Sequence, residues 1–321
     1  ASILSTASKK TRTTPRCRPP SGCSSDRLIS EFQRLARGRQ FWRPLCFFVF
    51  APIALALLSG CERPGLFQSS WEHASSIARK SNFKPVVLDA SGFVLRGFSN
   101  GRRSDRLVVY LEGDGRSFEF GRPTADPSPI DPLTLRLAQR HPVGDDAILY
   151  LARPCQYSSR SDLDRCYVDY WTIARYAPEI IKAISESIDI VKRSSGARMI
   201  SLAGYSGGGA VALLLAATRS DVEGVVTAAG VLDHAAWTRI NDRTSLSHSL
   251  NPPDFRRDLR QVPQLHLVGV DDRQVPPGVA TSYMSALGEE AAARRLDIPD
   301  FDHGCCWVDL WASLTARWFR R

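Results

Sequence analysis

Several features are missing from this chain, and each absence closes off a class of protein. Its eight cysteines form no Cys-x-x-Cys pair and none has a histidine at ligand spacing, so a structural metal is not expected. No lysine follows the glycine cluster Gly207–Gly209, which argues against a phosphate-cradling loop, and no cofactor is expected. There is no internal repeat, which sets aside solenoids and propellers. The net charge of +9 is also absent from most of the chain. Ten basic and two acidic side chains fall within residues 1–60, so eight of the nine excess charges lie there. The remainder is close to neutral and offers no basic footprint for nucleic acid.

What is present is a long chain with enough apolar side chains to build one large core: 43% of 321 residues are hydrophobic and 23% charged. Pro44 to Gly60 carries no charge and is interrupted by Pro52. Seventeen residues are short of the roughly 20 that a spanning helix needs. The run suits the apolar part of a signal peptide, preceded by Arg37, Arg39 and Arg43. It ends in Leu58-Ser59-Gly60-Cys61, which resembles the bacterial lipobox. That resemblance implies cleavage before Cys61 and a diacylglycerol on its thiol. A signal anchor with a coincidental cysteine is the plainer alternative. Forty-three residues before the apolar run are many for a signal peptide, and the first methionine is Met199, so the expectation is a start placed too far upstream. The boundaries expected are a signal region over 1–60, a lipidated tether with a short helix over 61–84, and a folded domain over 85–321.

Beyond Pro85, short β-rich runs alternate with helical stretches. A hairpin is expected over 86–98, strands near 106–111, 147–151, 199–203, 224–229, 265–270 and 294–298, and helices at 133–139, 172–193, 207–218, 278–287 and 308–319. Such alternation implies an α/β fold with a mostly parallel sheet covered by helices on both faces. In such sheets chemistry collects at the carboxyl ends of the strands.

One of those ends carries Gly204-Tyr205-Ser206-Gly207-Gly208 between an apolar strand and an Ala/Leu-rich helix. A serine on a sharp strand-to-helix turn has its oxygen lifted clear of the sheet, and glycine is needed two residues to either side where backbones cross. The helix N-terminus then aims its N–H groups at developing negative charge. A phosphate loop and a plain flexible turn are the alternatives. From about Pro85 onward the chain resembles the α/β-hydrolase superfamily, which implies that Ser206 is a nucleophile.

The same resemblance assigns partners. The family's acid follows a Gly-x-x-Asp-x-x-Val-Pro pattern, met here by Gly269, Asp272, Val275 and Pro276, with Asp271 one residue off the pattern as the competitor. The order Ser, Asp, His leaves one histidine after Asp272, His303, which lies just past the last expected strand. The loop Glu112-Gly113-Asp114-Gly115 aligns with the family's His-Gly-x-Gly, so the amides of Asp114 and Gly207 are the expected oxyanion hole. Glutamate stands where histidine is usual, and the carboxylate of Asp114 must either point away from an oxyanion or be neutralised.

A narrower likeness, to poorly characterised bacterial lipoprotein serine hydrolases, rests on stretches similar to Leu151–Tyr157, Tyr170-Trp171-Thr172 and Leu232-Asp233-His234. Export places the domain in an oxidising compartment. Cys155 and Cys166 then bracket a polar loop suited to a local disulfide, and Cys305-Cys306 suits a vicinal one, although four cysteines permit three connectivities. Residues 231–262 leave room for a small cap only. The expected activity is hydrolysis of a small-molecule ester through an acyl-enzyme. A peptidase or amidase, or a non-catalytic envelope-binding lipoprotein, are the alternatives. The expected place is the periplasmic face of a bacterial membrane. Glu62, which is not aspartate, favours the outer membrane over the inner.

Overall fold

The computed structural model describes Ser69–Arg320, except Val143. The signal region 1–60, Cys61 and the first part of the tether lie outside the described residues. Residues 68–321 form a compact unit.

In chain order the elements are α1 (Ser70–Arg79), β1 (Lys84–Ala90), β2 (Phe93–Ser99), β3 (Arg106–Leu111), β4 (Phe118–Glu119), β5 (Arg122–Pro123), α2 (Leu133–Gln139), β6 (Ala147–Leu151), α3 (Pro178–Ser195), β7 (Met199–Tyr205), α4 (Gly207–Thr218), β8 (Val222–Ala228), α5 (His234–Ile240), α6 (Arg256–Leu259), β9 (Gln264–Gly269), α7 (Pro277–Leu287), β10 (Ala293–Ile298) and α8 (Trp307–Phe319). Short 3-10 turns occupy Arg160–Arg165, Val168–Trp171 and Pro252–Phe255.

Eight strands make one sheet in the order β1-β2-β6-β3-β7-β8-β9-β10. Only β2 runs against the rest: it pairs antiparallel with β1 and β6, and every later pairing is parallel. The central strands are mostly apolar because both of their faces are covered. Leu107, Val109 and Leu111 of β3 join one core cluster with α3, α4 and α7, while Val108 and Tyr110 join another with α1, α2 and α8. This unit therefore covers both faces of its sheet with its own helices and has its own core, the condition for folding alone.

Two expectations need correcting. The helix expected at 172–193 starts at Pro178 instead. A residue before proline is pushed out of the helical region, and Ala177 is extended at φ −60°, ψ 152°. Residues 172–177 are thereby released to form a turn whose Arg175 and Tyr176 reach the site. The folded body also begins before residue 85. Ser69 and Glu72 cap α1 reciprocally, Ala74, Ile77 and Ala78 are buried, and Trp71 stacks on Phe98 at 4.7 Å. Residues 69–84 are part of the domain.

The registers fix the site. Leu111 of β3 lies opposite Gly204 of β7, Tyr205 opposite Ala228 of β8, and Gly269 of β9 opposite Ile298 of β10. The loops that leave β3, β7, β9 and β10 thus emerge along one edge.

Candidate active site

Ser206 sits between β7 and α4 with φ 52° and ψ −123°. Positive φ is costly for a side chain with a Cβ, and such strain persists only where the surroundings enforce it. Here they do. A Cβ on Gly204 would collide with the carbonyl oxygen of Gly208, and one on Gly208 with that of Leu111. The two glycines let three backbones cross closely enough to hold the turn.

His303 follows β10. Its Nε2 lies 3.1 Å from Ser206 Oγ and its Nδ1 2.8 Å from Asp272 Oδ2. Asp272, only 3% exposed, accepts on its other oxygen from the amides of Gln274 and Val275, each at 2.8 Å. Its carboxylate is thus fixed in place with one oxygen aimed at the imidazole. Asp271, the sequence competitor, makes no such contact with His303 among the described residues; its amide donates to the Phe301 carbonyl. The His303 carbonyl is itself clamped, accepting from Tyr205 Oη at 2.8 Å and Trp307 Nε1 at 3.1 Å. Ser206, His303 and Asp272, 97 and 31 residues apart along the chain, are one hydrogen-bonded series.

The loop after β3 closes the other side. A Cβ on Gly113 would lie 3.3 Å from Ser206 Cβ, so this loop passes beside the serine. Gly207 is the first residue of α4, so its amide is one of those a helix leaves without an internal acceptor. The Asp114 carboxylate packs so close to Gly207 that any side chain there would strike it. Its charge is met by Arg175 Nη1 at 2.7 Å, Arg153 Nη1 at 3.1 Å and Tyr176 Oη at 3.1 Å. Burial alone would raise the Asp114 pKa, but the charges of Arg175 and Arg153 outweigh it and hold the group below its ordinary value. Of the two outcomes open to Asp114, the structure shows neutralisation.

Glu112, where the resemblance leads one to expect histidine, is buried. One of its oxygens accepts from Gly113 N and Thr134 Oγ1, each at 2.8 Å, and the other from Tyr150 Oη at 2.9 Å. Burial pushes its pKa up to about 6 despite these donors. It stiffens the base of the loop and does not reach Ser206.

Over these residues opens a cleft of about 910 Å³. Trp237 and Leu246, from the short segment after β8, line it together with Phe118 and Ile130, from the stretch after β3. The cap is small, as the length of 231–262 implies, but the lining from the stretch after β3 was not foreseen. Two-residue strands such as β4 and β5 leave no periodic trace. Arg153, Arg175 and Tyr176 were missed too, although they lie within or beside the stretches that carried the narrower likeness. Both proximal cysteine pairs are bonded, Cys155 to Cys166 and Cys305 to Cys306.

A scan against models of known protein families finds no match, and no curated protein matches the chain. Solved structures do. The chain is similar to Est1E from Butyrivibrio proteoclasticus, at 13% identity and a TM-score of 0.52, over 74% of this chain and 99% of that one. It is similar to the dienelactone hydrolase from Anabaena variabilis, at 18% identity and a TM-score of 0.50, over 74% and 96%. This is the α/β-hydrolase fold. Another structure with this fold, the acylaminoacyl peptidase of Pyrococcus horikoshii, matches at 12% identity and a TM-score of 0.52, over 73% of this chain and 41% of that one. Within an α/β-hydrolase fold, the strand-to-helix turn at Ser206 and the loops after β9 and β10 occupy the positions where chemistry gathers.

Proposed function

We propose that the protein is a serine hydrolase that cleaves small-molecule carboxylic esters, with Ser206 as nucleophile, His303 as general base and acid, and Asp272 as the group that orients the imidazole. The observation that carries this reading is the Ser206–His303–Asp272 series at 3.1 and 2.8 Å, on a strained turn at the mouth of a cleft. His303 takes the proton as Ser206 Oγ attacks the acyl carbon. Asp272 steadies the resulting imidazolium. The amides of Gly207 and Asp114 receive the negative charge on the carbonyl oxygen. The tetrahedral adduct collapses as His303 hands its proton to the departing alcohol. Water, deprotonated by the same imidazole, then releases the acid and restores the serine.

The ester reading draws support from neighbours whose names describe esterases, one of them, Est1E, with ferulic acid bound. A cleft walled by Trp237, Phe118 and Ile130 suits an acyl or alcohol portion of similar apolar character. The test is a fluorophosphonate probe followed by peptide mapping. An adduct on Ser206, and loss of 4-nitrophenyl butyrate hydrolysis in a folded Ser206→Ala variant, are expected. A folded wild-type chain that neither labels nor hydrolyses any acyl ester, thioester or amide would overturn the proposal.

The Leu58–Cys61 pattern supports a further part of the same reading: export, a lipid on Cys61, and a place on the periplasmic side of a bacterial membrane, the outer one by preference.

A further inference from the structure

Twelve large apolar side chains stand exposed among the described residues, and half of them fall on two short segments: Phe118, Phe120 and Ile130, and Leu163, Tyr167 and Val168. The segments adjoin. Trp171 Nε1 donates to the Thr124 carbonyl at 3.1 Å, Tyr157 N donates to Ser128 Oγ, and the Cys155–Cys166 disulfide ties the neighbour of Tyr167 to the neighbourhood of Tyr157. The two segments, tethered at these points, are an apolar-rich rim. Phe118 and Ile130 also line the cleft above Ser206, so the rim borders the active-site mouth. Phe120, fully exposed at the tip of the β4–β5 hairpin, is its most projecting side chain. Contiguous exposed apolar surface on a folded domain marks a docking face.

Where the described chain begins indicates what docks. The Trp71 ring at the start of α1 lies 5.6 Å from the Tyr157 ring, and Arg96, which stacks over Trp71, pairs with Asp162 at 2.6 Å. The polypeptide therefore joins the domain beside this rim. Eight peptide links separate Cys61 from Ser69, a reach of at most about 29 Å. Charges of both signs mix near the rim: Arg116 pairs with Glu119 and Asp126, Arg136 with Asp131 and Arg96 with Asp162, while Arg122, Arg165, Asp164 and Asp169 are exposed in or beside the same segments. Such a face has no single-sign field to select an anionic surface.

We propose that this rim docks on a zwitterionic phospholipid surface, the membrane that carries the lipid of Cys61, and holds the cleft mouth at the bilayer so that apolar esters enter from the lipid phase. Aromatic side chains suit this boundary because their rings partition to the headgroup level. The docking itself rests on the anchoring reading of Cys61, and the entry of esters rests on the hydrolase reading.

The test removes the anchor. Residues 68–321 are mixed with phosphatidylcholine vesicles and sedimented, alongside a Phe120→Ser/Tyr167→Ser variant and a Val87→Ser/Leu310→Ser control altered at exposed apolar positions elsewhere. Neither Phe120 nor Tyr167 lines the cleft, so hydrolysis of soluble 4-nitrophenyl butyrate is left unchanged. Vesicle partition falls about tenfold or more in the rim variant, as expected for two aromatic side chains withdrawn from an apolar phase. It stays at the wild-type level in the control, and it does not weaken at high salt. Phe120→Ser alone replaces the double variant should the latter melt earlier. A wild-type unit that stays in the supernatant, a rim variant that sediments equally well, or a control that loses as much would each overturn the proposal. Failure of fluorophosphonate labelling with vesicle binding intact would count against the hydrolase reading alone.

Discussion

At the scale of single residues, Asp114 is the most constrained. In the proposed mechanism its amide serves the oxyanion while its carboxylate is a charge in the wrong place, and Arg153 and Arg175 meet that charge. Removing a carboxylate that pairs buried arginines leaves their charge uncompensated. Asp114→Ala should therefore lower stability by about 3–5 kcal/mol in urea unfolding, although the backbone donor remains. Glu112 makes the opposite prediction with pH. Its folded pKa is about 6, raised by burial above the ordinary value of 4.5. A raised carboxyl pKa contributes stability that is fully present below pH 4.5 and lost as pH climbs through 6. Glu112→Gln cannot ionise. Its stability relative to wild type should accordingly improve by about 2 kcal/mol between pH 4 and pH 8, read from melting curves at the two values.

At the scale of elements, the Cys155–Cys166 bridge holds the rim beside the Arg153 anchor. Closing an 11-residue separation should contribute about 2–3 kcal/mol, so Cys155→Ser/Cys166→Ser is expected to unfold at lower denaturant concentration than wild type in the absence of reductant, and the gap is expected to close when both proteins are reduced. It is also at this scale that the sequence was partly readable. Strands β3, β6, β7 and β9 and helices α2, α4 and α8 stand within a residue or two of their expected bounds, because buried parallel strands are continuous apolar runs, α4 is an Ala/Leu run buried all round, and α8 repeats its apolar residues every three to four positions. That Ser206, Asp272 and His303 would meet was legible for a different reason: a strained turn demands glycines at fixed offsets, and the resemblance supplied the acid's pattern and the order Ser, Asp, His, which leaves one histidine after Asp272. Long-range contacts left no such mark. Nothing local to Arg175 or Tyr176 says that they meet Asp114 some sixty residues away, and a helical period through Ile173 and Ala177 concealed the turn that Pro178 enforces.

At the scale of the whole molecule, the described unit is one sheet with two covered faces, and what lies ahead of it in the chain bears on where it works. Cells grown with labelled palmitate should yield a labelled chain that Cys61→Ala abolishes. An unlabelled wild-type chain would remove the membrane from the account and leave the hydrolase intact.

The last helix carries a consequence of its own. Trp307 fastens the His303 carbonyl, and Trp311, Trp318 and Phe319 of the same helix moor that stretch in the core. During synthesis Ser206 emerges almost a hundred residues ahead of His303. Under the proposed mechanism, a partly made polypeptide thus presents a serine that nothing activates, and reactivity arrives only once α8 has packed home.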